Sequence, residues 1–334
     1  MRMPTPGDSA RIAVLAGGIG GARFLRGLVA AAPDSQITVI GNTGDDIWIH
    51  GLRVCPDLDT VMYTLGGGIS QERGWGREDE TFAVREELAA YGMEPTWFGL
   101  GDRDIATHLV RTQLLNAGYP LSAVTEALCT RWQPGVRLLP MSDERAETHV
   151  VIDEADGTQR AIHFQEWWVR HQARIPARSF ALVGVEDAKP GPGVIEAIEG
   201  ADIVVLPPSN PVVSIGTILR VPGIREALAR TSAPVVGVSP IIGGRPVRGM
   251  ADACLTAIGV ETSAAAVAAH YGARAGDPPG LLDGWLVDDA DAESVPGIES
   301  RGIVCEARPL LMSGPEPTRE IAAAALALAA RLRP

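Results

Sequence analysis

The sequence predicts an α/β protein, a Rossmann-like, doubly wound, mostly parallel sheet with a small antiparallel β insertion. Three observations lead there. The chain opens as strand, glycine loop, helix and strand. A hairpin texture interrupts it near residue 147. Short apolar runs then alternate with helical patterns again to the end.

Residues 11–16 (RIAVLA) read as a strand buried on both faces, because they lack polar alternation. Gly17-Gly18-Ile19-Gly20-Gly21 follows, and Phe24, Leu25, Leu28 and Val29 then recur at helical spacing. Residues 37–40 form a second strand. Helical patterns cover 81–91, 105–117 and 121–132, with Gly118 and Pro120 as stop and start between the last two. Residues 148–152 and 159–164 flank the turn signal Asp156-Gly157 and read as a hairpin, capped by 165–171 with Trp167 and Trp168. Strand candidates at 180–185, 203–206 and 235–238 come next, with helices at 194–199, 224–230 and 251–258. A helix over 318–332 closes the chain. The expected organisation is a nucleotide-binding core of 1–135 and 177–334, interrupted by a β-hairpin insertion at 136–176.

Composition narrows the function. A chain of 334 residues with 46% hydrophobic residues has ample material for a packed core, which excludes disorder as its main state. Net charge is −12 and aromatics are 5%, so a stacking platform or basic face for nucleic acid is not expected. Cys55, Cys129, Cys254 and Cys305 are scattered and form no C-x-x-C pair, against a zinc ribbon or a disulfide scaffold. The apolar stretch after Arg11 runs through four glycines into Arg23 and Arg26, unlike a signal-peptide core. The run 321–330 is about half the ~20 residues a membrane span needs. A cytoplasmic protein without a membrane partner is expected.

Four segments could carry chemistry. Glycines between a strand and a helix let backbone N–H groups approach an anion, at the positive end of the helix dipole. The loop matches no dinucleotide fingerprint: Arg23 stands where a third glycine belongs, and no ribose-binding acid lies about 20 residues on. It lacks the G-K-[ST] of a P-loop as well. Phosphate binding at Gly17, Gly18, Ile19, Gly20 and Gly21 is the functional reading; close helix–sheet packing is the alternative.

Acids come next, at Asp45 and Asp46 beyond the second strand and at Asp57 and Asp59 in Cys55-Pro56-Asp57-Leu58-Asp59-Thr60. Two carboxylate pairs at one sheet edge suit Mg²⁺, which takes one or two carboxylates with water and phosphate. Capping of a helix starting near Leu58 is the other explanation for Asp57 or Asp59. In Gly101-Asp102-Arg103-Asp104, Asp102 or Asp104 reads as an N-cap in a plausible ligand loop, and His108 reads as structural. Ser209, Asn210, Ser214 and Gly216 follow an apolar strand and could face a nucleotide; a proline-stiffened turn capped by Ser214 would look the same. Ser239-Pro240-Ile241-Ile242-Gly243 follows the next strand similarly. Gln165, Trp167 and Trp168 could cover a flat aromatic ligand, or simply pack the hairpin. His163 and His171 read as ordinary.

In this order, Gly17-Gly18-Ile19-Gly20-Gly21, Asn42-Thr43-Gly44-Asp45-Asp46, Cys55–Thr60, Gly101–Asp104, Pro140-Met141-Ser142-Asp143, Pro208-Ser209-Asn210-Pro211 and Ser239–Gly243 resemble the 2-phospho-L-lactate or phosphoenolpyruvate transferase family of coenzyme F-420 biosynthesis, nearest its actinobacterial branch. The resemblance runs from about Ile12 to the last helix. It implies attack by the ribityl hydroxyl of the deazaflavin Fo on a guanosine diphosphate ester of enolpyruvate or lactate. GMP would leave, giving dehydro coenzyme F-420-0 or F-420-0. It also implies Mg²⁺ held by Asp45 and Asp59 with Asp46 or Asp57 assisting, and Asp59 as general base with Asp45 beside it. The glycine loop and the 209–216 segment would hold the nucleotide, and Asn42, Asp59, Asp102 and Arg103 the acceptor. A homodimer is the expected assembly. A non-catalytic, nucleotide-sugar-binding metabolic regulator of related fold has a similar glycine loop. Cys55–Thr60 and Gly101–Asp104 favour the transferase.

Overall fold

Short apolar runs become strands at fourteen places in the computed structural model, which describes residues 9–333. In chain order they are β1 (Arg11–Ala16), β2 (Gln36–Gly41), the hairpin β3 (Ile47–Ile49) and β4 (Leu52–Val54), β5 (Arg137–Pro140), β6 (Glu147–Asp153), β7 (Gln159–His163), β8 (Ser179–Val183), β9 (Ile203–Leu206), β10 (Val235–Val238), the pair β11 (Ile241–Ile242) and β12 (Arg245–Pro246), β13 (Gly284–Val287) and β14 (Val304–Ala307). Seven form one parallel sheet in the order β14-β13-β10-β9-β1-β2-β5. The sheet is wound outward from β1 in both directions, so the chain reverses between β1 and β9. In such sheets the crevice beyond the strand C-termini at the reversal is where ligands bind.

The unalternating strands are explained by their burial. Ala13 and Leu15 of β1 enter one apolar core, while Ile12, Val14 and Ala16 enter another on the opposite face. Helices α1 (Gly18–Ala31), α2 (Pro56–Leu65), α3 (Ala83–Ala90), α4 (Asp102–Asn116) and α5 (Leu121–Trp132) belong to the N-terminal half. The closing helix Pro315–Leu332 packs along α1. No described helix is long and apolar enough to cross a membrane.

The expected insertion differs at both ends. Residues 137–140 are not part of it: β5 runs parallel to β2 as the edge strand of the central sheet, with three of its four residues buried. The strand candidate at 180–185 is not central: β8 pairs antiparallel with β6, giving a three-stranded sheet β7-β6-β8. Leu182 is its one buried residue while Val183 is exposed, as for a sheet with one wet face. The core range expected from residue 1 includes 1–8 and 334, which lie outside the described residues. Strands β13 and β14 complete the central sheet where short mixed runs (GWLV, VCEA) gave no periodic signal.

Candidate active site

A cavity of about 510 Å³ opens beyond the C-terminal ends of the central strands, at the reversal between β1 and β9. Its size lies within the range of small-molecule sites. Gly17–Gly20 enter from one side, Asp45, Asp57 and Asp59 from another, and Ser209, Asn210 and Ser214 from the segment after β9.

The glycines serve two ends at once. Gly18 has φ of +68°, a left-handed conformation that glycine adopts without strain. A Cβ at Gly20 would meet the Pro208 carbonyl oxygen at 2.5 Å, and one at Gly21 would meet Ser209 Oγ at 2.5 Å. The expected packing role is therefore present, and it brings the 208–214 turn onto the start of α1. Ser209 Oγ donates to the Gly17 carbonyl at 2.8 Å. Gly17, at the N-cap, has no side-chain cap, and the first turn of α1 carries no acid. The Asp57 carboxylate lies against this end of α1, where Gly18 N–H helps to hold it and a Cβ at Gly17 would meet its Oδ2 at 2.6 Å. The helix dipole and the N–H groups not taken by Asp57 therefore face the cavity.

The acids divide by partner. Asp45 is buried and its Oδ1 has no hydrogen-bond partner. Burial, then Asp57, then Asp46 push its carboxyl well above the usual range. Asp57 is pushed up to about 6, mainly by burial, while Asn42 Nδ2 donates to its Oδ2 at 2.9 Å and opposes the shift. Neither forms an ion pair among the described residues. Asp46, Asp59 and Asp104 do. Asp46 meets Arg53 at 3.0 Å, and burial still raises it to about 6. Asp59 Oδ1 accepts from the buried Arg111, and its Oδ2, 3.7 Å from His108 Nδ1, lacks a hydrogen bond. Asp104 accepts from Tyr63 Oη at 2.6 Å and lies 3.3 Å from His108 Nε2. Burial would raise its pKa, but His108, Tyr63 and Arg111 together hold it below the ordinary value.

Several expected contacts are not made. Among the described residues no three His, Cys, Asp or Glu are placed to hold one ion, so four aspartates do not converge as a cage. Asp46 lies outside the cavity lining, turned to Arg53, which also reaches Glu147 at 3.2 Å. Asn42 is fully buried, its amide used by Asp57, the Val213 carbonyl and Gly44 N–H, so it orients the acids rather than facing the cavity. Asp102 and Arg103 stay outside. Asp102 accepts from Ala83 N–H and Val84 N–H, capping α3 rather than its own helix. In return Glu80 accepts from Arg103 N–H and Asp104 N–H at the start of α4. Exposed Arg103 lies 3.9 Å from Asp79. Gly21 and Gly216 are also absent from the lining; a Cβ at Gly216 would sit 2.6 Å from the Pro211 carbonyl oxygen, a packing demand.

Helix α2 begins at Pro56, so Asp57 and Asp59 occupy its first turn, and the N-cap, Cys55, offers no side-chain bond. Ser214 does hold the N-cap position of the helix Ile215–Arg220, without a side-chain cap. The paired tryptophans separate: Trp167 is buried in the insertion, its Nε1 donating to Ile175 at 2.7 Å, while Trp168 lines the cavity stacked on Phe164. Gln165 lines it too and donates to the Asp45 carbonyl at 3.2 Å. His163 meets the Asp46 carbonyl at 3.1 Å, so the insertion braces the loop that carries both acids.

Other lining residues escaped the sequence reading: Tyr63, Trp75, Phe98, Arg23, Arg248 and Met312. His108, read as structural, also lines the cavity while buried. The i, i+4 spacing of Asp104 and His108, and i+7 to Arg111, was the available signal for that cluster.

Residues 12–299 match the family model 2-phospho-L-lactate transferase CofD. The phosphoenolpyruvate transferase of Streptomyces griseus is 68% identical over 323 residues, covering 97% of this chain and 99% of that protein. The phosphoenolpyruvate transferase of Mycolicibacterium smegmatis is 61% identical over 329 residues, covering 96% and 98%. A solved structure of a UPF0052-family protein from Bacillus halodurans superposes with a TM-score of 0.60 at 19% identity, covering 96% of this chain and 99% of that one; it shows the shared fold. With the family model spanning most of the chain and relatives this similar along nearly all of it, the chain belongs to the 2-phospho-L-lactate transferase CofD family.

Proposed function

We propose that the protein transfers a phosphoenolpyruvyl group, or its phospholactyl counterpart, from a guanosine diphosphate ester to the ribityl hydroxyl of Fo. The observation that carries this reading is one cavity at the glycine-rich start of α1 that also holds buried carboxylate oxygens without partners, Asp45 Oδ1 and Asp59 Oδ2. The names of the curated relatives support enolpyruvyl as the three-carbon group and turnover rather than mere binding.

The hydroxyl oxygen attacks the phosphorus that bears the three-carbon acid, and the bond from that phosphorus to the oxygen bridging the two phosphates breaks. GMP departs with the bridging oxygen and its electron pair. Such transfer depends on positioning and charge neutralisation more than on covalent help. Gly17–Gly20 and Ser209–Ser214 hold the diphosphate and nucleoside. Trp75, Phe98 and Trp168 offer flat apolar faces for the deazaflavin.

The free buried oxygens, Asp45 Oδ1 and Asp59 Oδ2, fit a hard cation that takes one or two carboxylates. Asp45 and Asp59 would hold Mg²⁺, which when bound neutralises diphosphate charge. Arg111 occupies the other oxygen of Asp59, so Asp59 cannot hold an ion and also accept a proton. We therefore assign the hydroxyl proton to Asp57, which lines the cavity and is oriented by Asn42. The test is incubation with Fo, the enolpyruvyl ester and Mg²⁺, with chromatography for GMP. Equal formation of GMP and dehydro-F-420-0, abolished by EDTA, is expected. Ester binding without GMP would return the protein to the regulator reading.

A further inference from the structure

We propose that Arg23 and Arg248, which line the cavity, form a cationic clamp for an oxyanion of the donor. The inference rests on the transferase reading and adds residues that determine donor recognition.

Arg23 belongs to α1, three residues after Gly20, so both face the same side of the helix, and both line the cavity. Arg248 comes from the loop between β12 and the helix Ala251–Ala257, and lines it as well. Among the described residues neither pairs with a carboxylate, although the chain has 41 acids against 29 bases. The two approach the same segment, since Arg23 and Gly74 line one small recess and Gly74 lies against Arg248. Burial, then Arg248, then Arg26 lower the Arg23 pKa.

Arg248 is held there. Its Nη2 donates to the Arg73 carbonyl at 2.8 Å, and a Cβ at Gly74 would come within 2.8 Å of its Nη1. Arg73 in turn lies over the Trp75 and Phe82 rings at 5.6 and 5.7 Å. Two like charges from separate elements, fixed beside the apolar Trp75 and Val247, repel until an anion joins them. Guanidinium forks match the paired oxygens of a phosphate or carboxylate. The donor offers both, in its diphosphate and in its three-carbon acid.

Arg23→Ala, Arg248→Ala and the double variant test this. Both side chains are exposed, so folding should persist, which a melting curve checks. GDP binding by calorimetry with Mg²⁺ present, and steady-state KM for the ester and for Fo, are then compared with the unsubstituted chain. Each single change is expected to raise the donor KM about 10- to 100-fold, with the Fo KM unmoved. A parallel loss of GDP affinity identifies the anion as phosphate; unchanged GDP affinity identifies the carboxylate. Donor KM and GDP affinity within about twofold of wild type in the double variant would overturn the clamp. Absence of turnover by the unsubstituted chain strikes the transferase reading instead, and then loss of GDP affinity in the double variant still supports the clamp while retention overturns it.

Discussion

Two sets of buried carboxylates, at the cavity or, for Asp46, just behind its wall, differ in what neutralises them. Asp46, Asp59 and Asp104 are met by Arg53, Arg111 and His108, all supplied by the protein itself. Asp45 and Asp57 are buried and interact with each other, with no cationic side chain paired to either among the described residues, and both carboxyls are raised. A folded chain tolerates uncompensated buried charge at a cost to stability. The first set is therefore scaffold as well as site, since removing one member strands its partner. The second is destabilising in the free protein when ionised, and favours the protonated form in the absence of a bound cation.

The largest expected effect sharpens that contrast. Asp45→Asn should lower turnover about 1,000-fold or more, the scale of a lost electrostatic contact in a phosphoryl-transfer site, while leaving the protein folded. Turnover within about tenfold of wild type would detach Asp45 from the reaction. Next is Arg111→Met, which leaves Asp59 buried and unpaired. Chemical denaturation should show a loss of about 3–5 kcal/mol, and an unchanged midpoint would remove Arg111 from the scaffold set.

Asp57→Asn should move the other way. Its folded pKa of about 6 lies above the unfolded value of about 3.9, so the ionised group opposes folding once pH exceeds the folded pKa. The free variant should be about 3 kcal/mol more stable at pH 8, with the advantage fading as pH falls to about 4, yet it should turn over poorly. No stabilisation at pH 8 would break the comparison at its centre.

The smallest effect concerns the brace. Burial first, then neighbours including His149 and Arg53, lower His163 to about 4. A lowered histidine contributes stability that is present above its unfolded pKa of about 6.5 and is lost as pH falls through 4. Allowing for partial solvent screening, that loss is about 2 kcal/mol. Melting curves of His163→Gln across this window should lack that part of the acid sensitivity.

Much of the central sheet was legible because parallel strands buried on both faces read as unbroken apolar runs, as β1, β9 and β10 do. β5 and β8 exchanged sheets because four or five apolar residues do not state which neighbour they will pair with. Gly17–Gly20, Asp45, Asp57, Asp59, Ser209, Asn210 and Ser214 reached the cavity as expected, since loops after strands at a reversal of order gather at one edge. Asn42, Asp46, Asp102 and Arg103 did not: Asn42 is tied to Asp57 and the distant Val213, Asp46 to Arg53 in the following hairpin, Asp102 to the start of α3, and Arg103 lies near Asp79.

From its local patterns alone, then, the chain determined a doubly wound sheet, a glycine loop between strand and helix, and an acid-rich edge. Which carboxylates are paired with a cationic side chain, and which are not, was decided mainly in three dimensions. Asp104 finds His108 one turn along its own helix, but Asp46 and Asp59 depend on Arg53 and Arg111, which are brought to them by the hairpin β3–β4 and by the packing of α4. Charge compensation depends on distance across the fold, and a residue's local sequence does not contain that distance.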